Sequence, residues 1–378
     1  MRANFANEQA RRLGRLGEAP IGTDGGTSEQ GAVPVVTIED LRASAREALA
    51  EVLDGARTVA LVNFPNHGNP GDPAIWLGSR RLLSELGVRI GYASAWWDFD
   101  AASLRSAVGD APVLLNGGGN FGDLYAGQQG TRVRVLSTLA DNPVVQLPQS
   151  IHFADAANEA AMAELLAGHP RFTMMVREHR SAAIARDRLG VEPVLSPDHA
   201  LGLGPLARTR TPKTPILWLT RVAGDLEYVD HEPEPADDVR RVEWLHGVPE
   251  DQAGWDVVGR LALRVNENIH ARWRPEMPTA ALLHAVAART YPPLAWRWVR
   301  RGVDLLSSAQ VVVTDKLHGH LLAALLGIPH VVLDNSYGKV SGTLEAWTAG
   351  LPGVHRAAGP GEAMAAARDL LAQIGGAR

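Results

Sequence analysis

Ala309-Gln310-Val311-Val312-Val313-Thr314-Asp315-Lys316-Leu317-His318-Gly319-His320 reads as an apolar strand running into the start of a helix. The helical pattern continues to Leu326 and stops at Gly327 and Pro329. A second apolar strand follows, His330-Val331-Val332-Leu333-Asp334. Two continuous apolar strands joined by a short helix are the mark of a parallel α/β sheet. Lys316 and His318 therefore sit where a strand's carboxyl end meets a helix's amino end. Free backbone N–H groups and the helix dipole favour an anion at that place. A titratable imidazole beside an anion site points to chemistry on a phosphate or carboxylate.

The same alternation extends through most of the chain. Strands are expected at Thr58–Asn63, Arg89–Ser94, Pro112–Asn116, Pro143–Leu147, Phe172–Val176 and Pro193–Leu195. Helices are expected at Ile38–Leu53, Pro73–Leu86, Arg132–Leu139, Ala156–Leu166 and Ser181–Leu189. Between Asn116 and Arg132 the sequence reads as a glycine loop. The segment from Pro205 to Pro215 reads as a linker, after which Ile216–Thr220 opens a second α/β set. From Glu227 to Pro293 the pattern is poor: acidic and proline-rich, then tryptophan-rich, with helices near Val257–Asn266 and Pro278–Ala288. The end, Gly361–Ile374, is an alanine-rich helix. The expected division is a mobile tail over 1–34, a first α/β domain over 35–207 and a second over 208–378. The last helix is allowed to pack back on the first domain. Two such domains imply a cleft, and ligands of these sheets bind at the carboxyl-end loops.

Composition narrows the functions. The chain has 378 residues, 46% of them hydrophobic, enough for a substantial core. A net charge of −5 gives no bulk attraction to nucleic acid or an anionic membrane. The absence of cysteine excludes disulfides, thiolate catalysis and cysteine-ligated metals, and fits a cytoplasmic protein. No apolar run approaches the roughly 20 residues of a membrane span. Contact with the inner face of the membrane is left open. There is no H-E-x-x-H, no G-x-S-x-G and no P-loop, so no metal or cofactor is expected.

Polar residues concentrate at the strand ends. Asn66, His67, Asn69 and Asp72 follow the first strand, and exceed what a turn needs, although Asp72 alone would serve as a helix cap. Asn116-Gly117-Gly118-Gly119-Asn120-Phe121-Gly122-Asp123 matches G-x-G-x-x-G, but lacks the acid a dinucleotide site wants at the next strand end. It reads better as a backbone wall for a sugar or phosphate. Gln149, Ser150 and His152 end another strand and could contact hydroxyls. Arg177 offers a planar fork for a carboxylate or phosphate, with a salt bridge to Glu178 as the plain alternative. Asp198 could hold an arginine or orient an imidazole. Arg221 and Lys339 supply further cations. The Tyr291–Arg301 stretch, where tryptophan alternates with arginine, could lie on a lipid surface. A helix packed in the second domain explains it better.

In order along the chain, N-x-G-D, N-G-G-G-N-F-G-D, L-P-Q-S-I, V-R-E, S-P-D and T-D-K-L-H-G-H…G-I-P-H-V-V-L-D-N-S-Y-G-K resemble the blocks of the polysaccharide pyruvyl transferase family. The resemblance implies two Rossmann-like domains facing a cleft, similar to GT-B glycosyltransferases. It implies transfer of the enolpyruvyl carbons of phosphoenolpyruvate onto sugar hydroxyls as a ketal, with release of phosphate. It places donor binding or activation on His318 and Arg177. Lys316 stands where the family often has arginine, keeping the charge but losing the fork. Arg221, Leu317, Gly319, Ser336 and Lys339 join them on the phosphoenolpyruvate side. His67, Asn69, Asp72, Gly118, Asn120, Gln149 and His152 fall to the acceptor, a saccharide that could be lipid-linked. Two rivals stand beside this reading: a nucleotide-sugar glycosyltransferase, and a non-catalytic saccharide-binding subunit of an assembly complex.

Overall fold

Thr58–Phe64 (β1) and Val113–Leu115 (β3) are buried almost end to end. Strands of this kind need cover on both faces, and helices supply it. The structure, a computed structural model, describes residues 36–244, 257–274, 276–277 and 279–376. The tail expected over 1–34 and residues 245–256 of the tryptophan-rich excursion lie outside the described residues.

Two wholly parallel sheets organise the chain. The first has seven strands in the order β2-β1-β3-β5-β6-β7, with β4 paired to β5 off that path. Its further members are β2 (Arg89–Ala95), β4 (Gly118–Gly122), β5 (Val144–His152), β6 (Phe172–Val176) and β7 (Val194–Leu195). The second has five strands in the order β12-β11-β10-β8-β9. These are β8 (Thr214–Leu219), β9 (Val239–Val242), β10 (Ala309–Thr314), β11 (His330–Val332) and β12 (Val354–Arg356). In each sheet the connections reverse direction once, between β1 and β3 and between β8 and β10. Such switch points leave a crevice at the strands' carboxyl ends. The residues there are Asn63 and Asn116 in one sheet, and Arg221 and Lys316 in the other.

One apolar cluster runs between the sheets and includes Leu61, Trp76, Leu217, Tyr291 and Val312. A single helix, Ala280–Ser307, with Pro292 and Pro293 inside it, supplies Tyr291, Leu294, Val299 and Leu306 to that cluster. The pattern predicts one helix ending before these prolines and another after them in the second set, where one continuous helix stands. Tyr291 anchors the proline turn to the first sheet. Its ring stacks on Phe64 at 4.3 Å, and its hydroxyl donates to Asp98 and accepts from the Ala95 amide. Tertiary contact here outweighs the missing amide donors.

Four further expectations change. The glycine loop is strand β4, and the helix after it starts at Ala126 and ends at Thr138. Gly122 has φ +132, and a side chain there would collide with the His152 carbonyl, so the glycine serves close strand pairing rather than mobility. Strands Val239–Val242 and Val354–Arg356 were not expected. Neither was the helix Ala101–Val108. The last helix, Pro360–Gly376, buries Ala363, Ala367 and Leu370 against the second sheet and does not return to the first.

Candidate active site

The opening motif lands at the second switch point. Lys316 is the residue before the helix Leu317–Leu325 and supplies no side-chain cap to it. Its Nζ pairs with Glu243 at 3.2 Å. Asp315 is fully buried and accepts the Arg221 amide at 3.1 Å from both carboxylate oxygens. Arg221 in turn bonds Glu227, and Lys339 bonds the same carboxylate. The hydroxyl of Tyr337 donates to Glu227 at 2.8 Å. Burial opposes the Glu227 charge, but Lys339 and Arg221 hold its carboxyl well below the usual range. Burial pushes the Lys339 ammonium down to about 8, against the pull of Glu227 and with the push of Arg221 and Arg177.

The first sheet contributes the facing wall. Arg177, at the end of β6, is 1% exposed. Its Nε donates to Ser150 at 2.8 Å and its Nη1 to Asp198 at 2.6 Å. A Cβ on Gly119 would lie 3.1 Å from its Nη2 and 3.4 Å from Lys339 Nζ. Gly119 therefore leaves the cations of both sheets room to meet. Asp198 also faces His318, whose Nε2 is 3.5 Å from Oδ2. Burial opposes the Asp198 charge, but His318 and Arg177 hold its carboxyl well below the carboxylate range. The His318 ring rests on Gly71 at the start of the helix Gly71–Glu85, where any Cβ would overlap it. Next to it, His67 pairs with Asp72 at 3.1 Å, which raises the His67 imidazole despite its burial.

The cations, His318, His67, Asp72, Gly119, Glu227 and Glu243 line one cavity of about 520 Å³, with Asp198 and Asp315 holding them from behind its wall. It gathers ten of the residues singled out in the sequence: His67, Asn69, Asp72 and Asn120, Arg177 and Arg221, Lys316, Leu317, His318 and Lys339. Five others lie off its wall. Gln149 is buried and holds Asn120 Oδ1 at 2.9 Å. His152 packs against the Tyr337 ring. Gly119, rather than Gly118, faces the space. Gly319 packs on Thr314, and Ser336 reaches Glu227 only through its amide.

The salt bridge offered as the plain reading of Arg177 exists, but to Asp198 more closely than to Glu178, which is 3.7 Å away. His320, two residues after His318, belongs to the core: it bonds His330 at 2.7 Å and Thr348 at 2.8 Å. Sequence reasoning missed Glu227, Glu243 and Tyr125 on the cavity wall. Glu227 begins a stretch with no regular pattern, so nothing local marks it.

The fold and site define an α/β protein with paired cations and an imidazole at the carboxyl ends of parallel strands. Residues 69–337 match the polysaccharide pyruvyl transferase family, so the chain belongs to that family and is an enzyme of that class. It is 30% identical over 308 residues to pyruvyl transferase 1 of Schizosaccharomyces pombe, covering 78% of this chain and 71% of the relative. It is 29% identical to EpsO of Bacillus subtilis, over 80% of this chain and 89% of the relative. A solved Klebsiella pneumoniae structure shares the fold with a TM-score of 0.53 and 15% identity, over 84% of this chain and 99% of that one. Among the described residues, no helix is long and apolar enough to cross a membrane.

Proposed function

We propose that this cavity binds phosphoenolpyruvate, and that the enzyme moves its enolpyruvyl carbons onto two hydroxyls of a saccharide. We take 35–207 and 208–378 as two Rossmann-like units facing a cleft, GT-B-like, with the donor between them. The observation that carries the reading is the convergence of Arg177, Lys316, Lys339 and His318 on one space. The donor has a phosphate and a carboxylate, and each suits charge-assisted hydrogen bonds from such groups. The carboxylates beside the cations hold them in position before the donor arrives, so little side-chain ordering is left to bind it.

The reaction needs an acid at the methylene carbon. Protonation there gives a methyl group and an oxocarbenium-like centre at the adjacent carbon. One sugar hydroxyl adds to that centre. The C–O bond to phosphate breaks, phosphate leaves with one proton, and a second hydroxyl closes the ketal. His318 is the acid or the anchor of the departing phosphate, positioned by Asp198 and Gly71. Arg177 and Lys316 bind the donor's anions, with Arg221 and Lys339 beside them. His67, Asn69, Asp72 and Asn120 lie on the acceptor side. Gly118, Gln149 and His152 support that side from behind the wall. No cofactor enters this scheme, and the reaction is placed in the cytoplasm.

A thermal-shift panel tests the assignment. Phosphoenolpyruvate is expected to raise the melting temperature, while nucleoside-diphosphate sugars leave it unchanged. A shift with nucleotide sugars alone would assign the cavity to glycosyl transfer instead.

A further inference from the structure

A smaller pocket of about 140 Å³ opens at the first sheet's switch point, between the ends of β1 and β3. It shares His67, Asp72, Asn120 and Gln128 with the larger cavity, so the two spaces adjoin. Its own walls are Asn63, Phe64, Pro65, Asn66, Trp96 and Asn116. We propose that this pocket is the acceptor subsite and that it seats a neutral pyranose ring against the face of Trp96. The inference rests on the pyruvyl-transfer reading and names where the acceptor lies and what recognises it.

Trp96 is 50% exposed, an uncommon state for so large an apolar side chain. It is nonetheless held in place. Its ring stands edge-on to His270, with centroids 5.9 Å apart at 85°, and its carbonyl accepts from Arg134. A fixed aromatic face is electron-rich and presents an apolar body beside polar groups. The C–H face of a pyranose, weakly positive and apolar, complements it.

The floor points to the same ligand. Asn116 is only 2% exposed, yet among the described residues its Oδ1 has no hydrogen-bond partner. A buried acceptor left unpaired costs about 1–3 kcal/mol, which a sugar hydroxyl would relieve by donating to it. Asn63 holds a left-handed backbone at φ 70. Such conformations in non-glycine residues collect at ligand sites. Asn66 is fixed by Asn266 at 3.0 Å. The charged lining residues here are His67 and Asp72, already paired with each other. That separates this pocket from the cation-rich donor cavity and selects an uncharged, hydroxyl-bearing ligand. A ring seated there would extend its hydroxyls past Asp72 toward His318, where the donor carbon is expected.

Saturation-transfer NMR on the full chain reads this contact. The probes are the methyl glycosides of glucose, galactose and mannose, with uridine as a flat-ring control. Aromatic irradiation is expected to label the C–H protons of at least one glycoside. The signal is expected to be lost in Trp96→Ala and partly restored in Trp96→Phe. The rise in melting temperature with phosphoenolpyruvate is expected to be the same in all three proteins. A glycoside signal that survives Trp96→Ala overturns the proposal, as does labelling of uridine alone or of no probe. Loss of the phosphoenolpyruvate shift with a Trp96-dependent sugar signal would instead sink the donor assignment and leave the subsite standing.

Discussion

One carboxylate oxygen, Asp198 Oδ2, lies 2.6 Å from Arg177 Nη1 and 3.5 Å from His318 Nε2. Arg177 and Asp198 come from the first sheet and His318 from the second, so this oxygen ties the two together. Removing a single partner of a buried pair leaves an uncompensated charge and costs about 3–5 kcal/mol. Asp198→Ala is therefore expected to lose stability on that order in urea unfolding. Asp198→Asn keeps the shape and should lose less, yet fall in turnover because both Arg177 and His318 lose their anchor. Equal stability in all three proteins would show that the pair is not what holds Arg177.

Gly71 gives a second test at the same histidine. Any Cβ there overlaps the His318 ring, so Gly71→Ala must push the imidazole away. We expect phosphate release from phosphoenolpyruvate and acceptor to fall at least about 100-fold, the scale of one misplaced catalytic group. The melting temperature should still rise with phosphoenolpyruvate as in the wild type where His318 is the acid, and rise less where His318 anchors the phosphate. Wild-type turnover in Gly71→Ala would remove His318 from the chemistry.

Donor affinity should depend on pH through Lys339. Burial brings its ammonium down to about 8, so the cation is present below that pH and lost above it. Binding of phosphoenolpyruvate, followed by calorimetry, is expected to weaken as pH rises through about 8. Lys339→Arg keeps its charge throughout and should flatten the profile. A wild-type curve that is flat from pH 7 to 9.5 would exclude Lys339 from the donor site.

Acid stability follows from histidines outside the chemistry. Burial pushes His199 and His330 down to about 4 from 6.5. Folded, they bind fewer protons than the unfolded chain between those values, so stability is present above pH 6.5 and lost as pH falls toward 4. The melting temperature should drop across that window. Asp198 and Glu227, whose folded carboxyls titrate lower still, extend the loss further into acid. A melting temperature constant from pH 7 to 4.5 would contradict the neutral, buried state of these rings.

Much of the frame was legible because parallel strands buried on both faces leave continuous apolar runs. β1, β6 and β10 start and end within a residue or so of where the pattern puts them. Arg177, Arg221 and Lys316 were legible because they lie within two residues of the ends of such strands. What escaped depends on contacts distant in sequence. Gly118–Gly122 became a strand because β5 lies alongside it. Pro292 and Pro293 stayed helical because Tyr291 is pinned to the first sheet. The cations are read as awaiting an anion, whereas Glu227, 110 positions before Tyr337 and 112 before Lys339 in no regular pattern, already pairs with both Arg221 and Lys339. Of the two histidines in Leu317-His318-Gly319-His320, spacing alone could not say which faces the cavity and which the core.

The paired cations of both sheets are expected to bind one doubly acidic donor. Calorimetric titration with phosphoenolpyruvate measures it most directly, in the wild type and in Arg177→Met, Lys316→Met and the remote surface variant Lys213→Met. We expect one site in the wild type, at least about tenfold weaker binding in the first two, as for loss of a charge-assisted contact, and no change in the third. No binding by the wild type, or one affinity shared by all four proteins, would mean that these cations do not bind the donor.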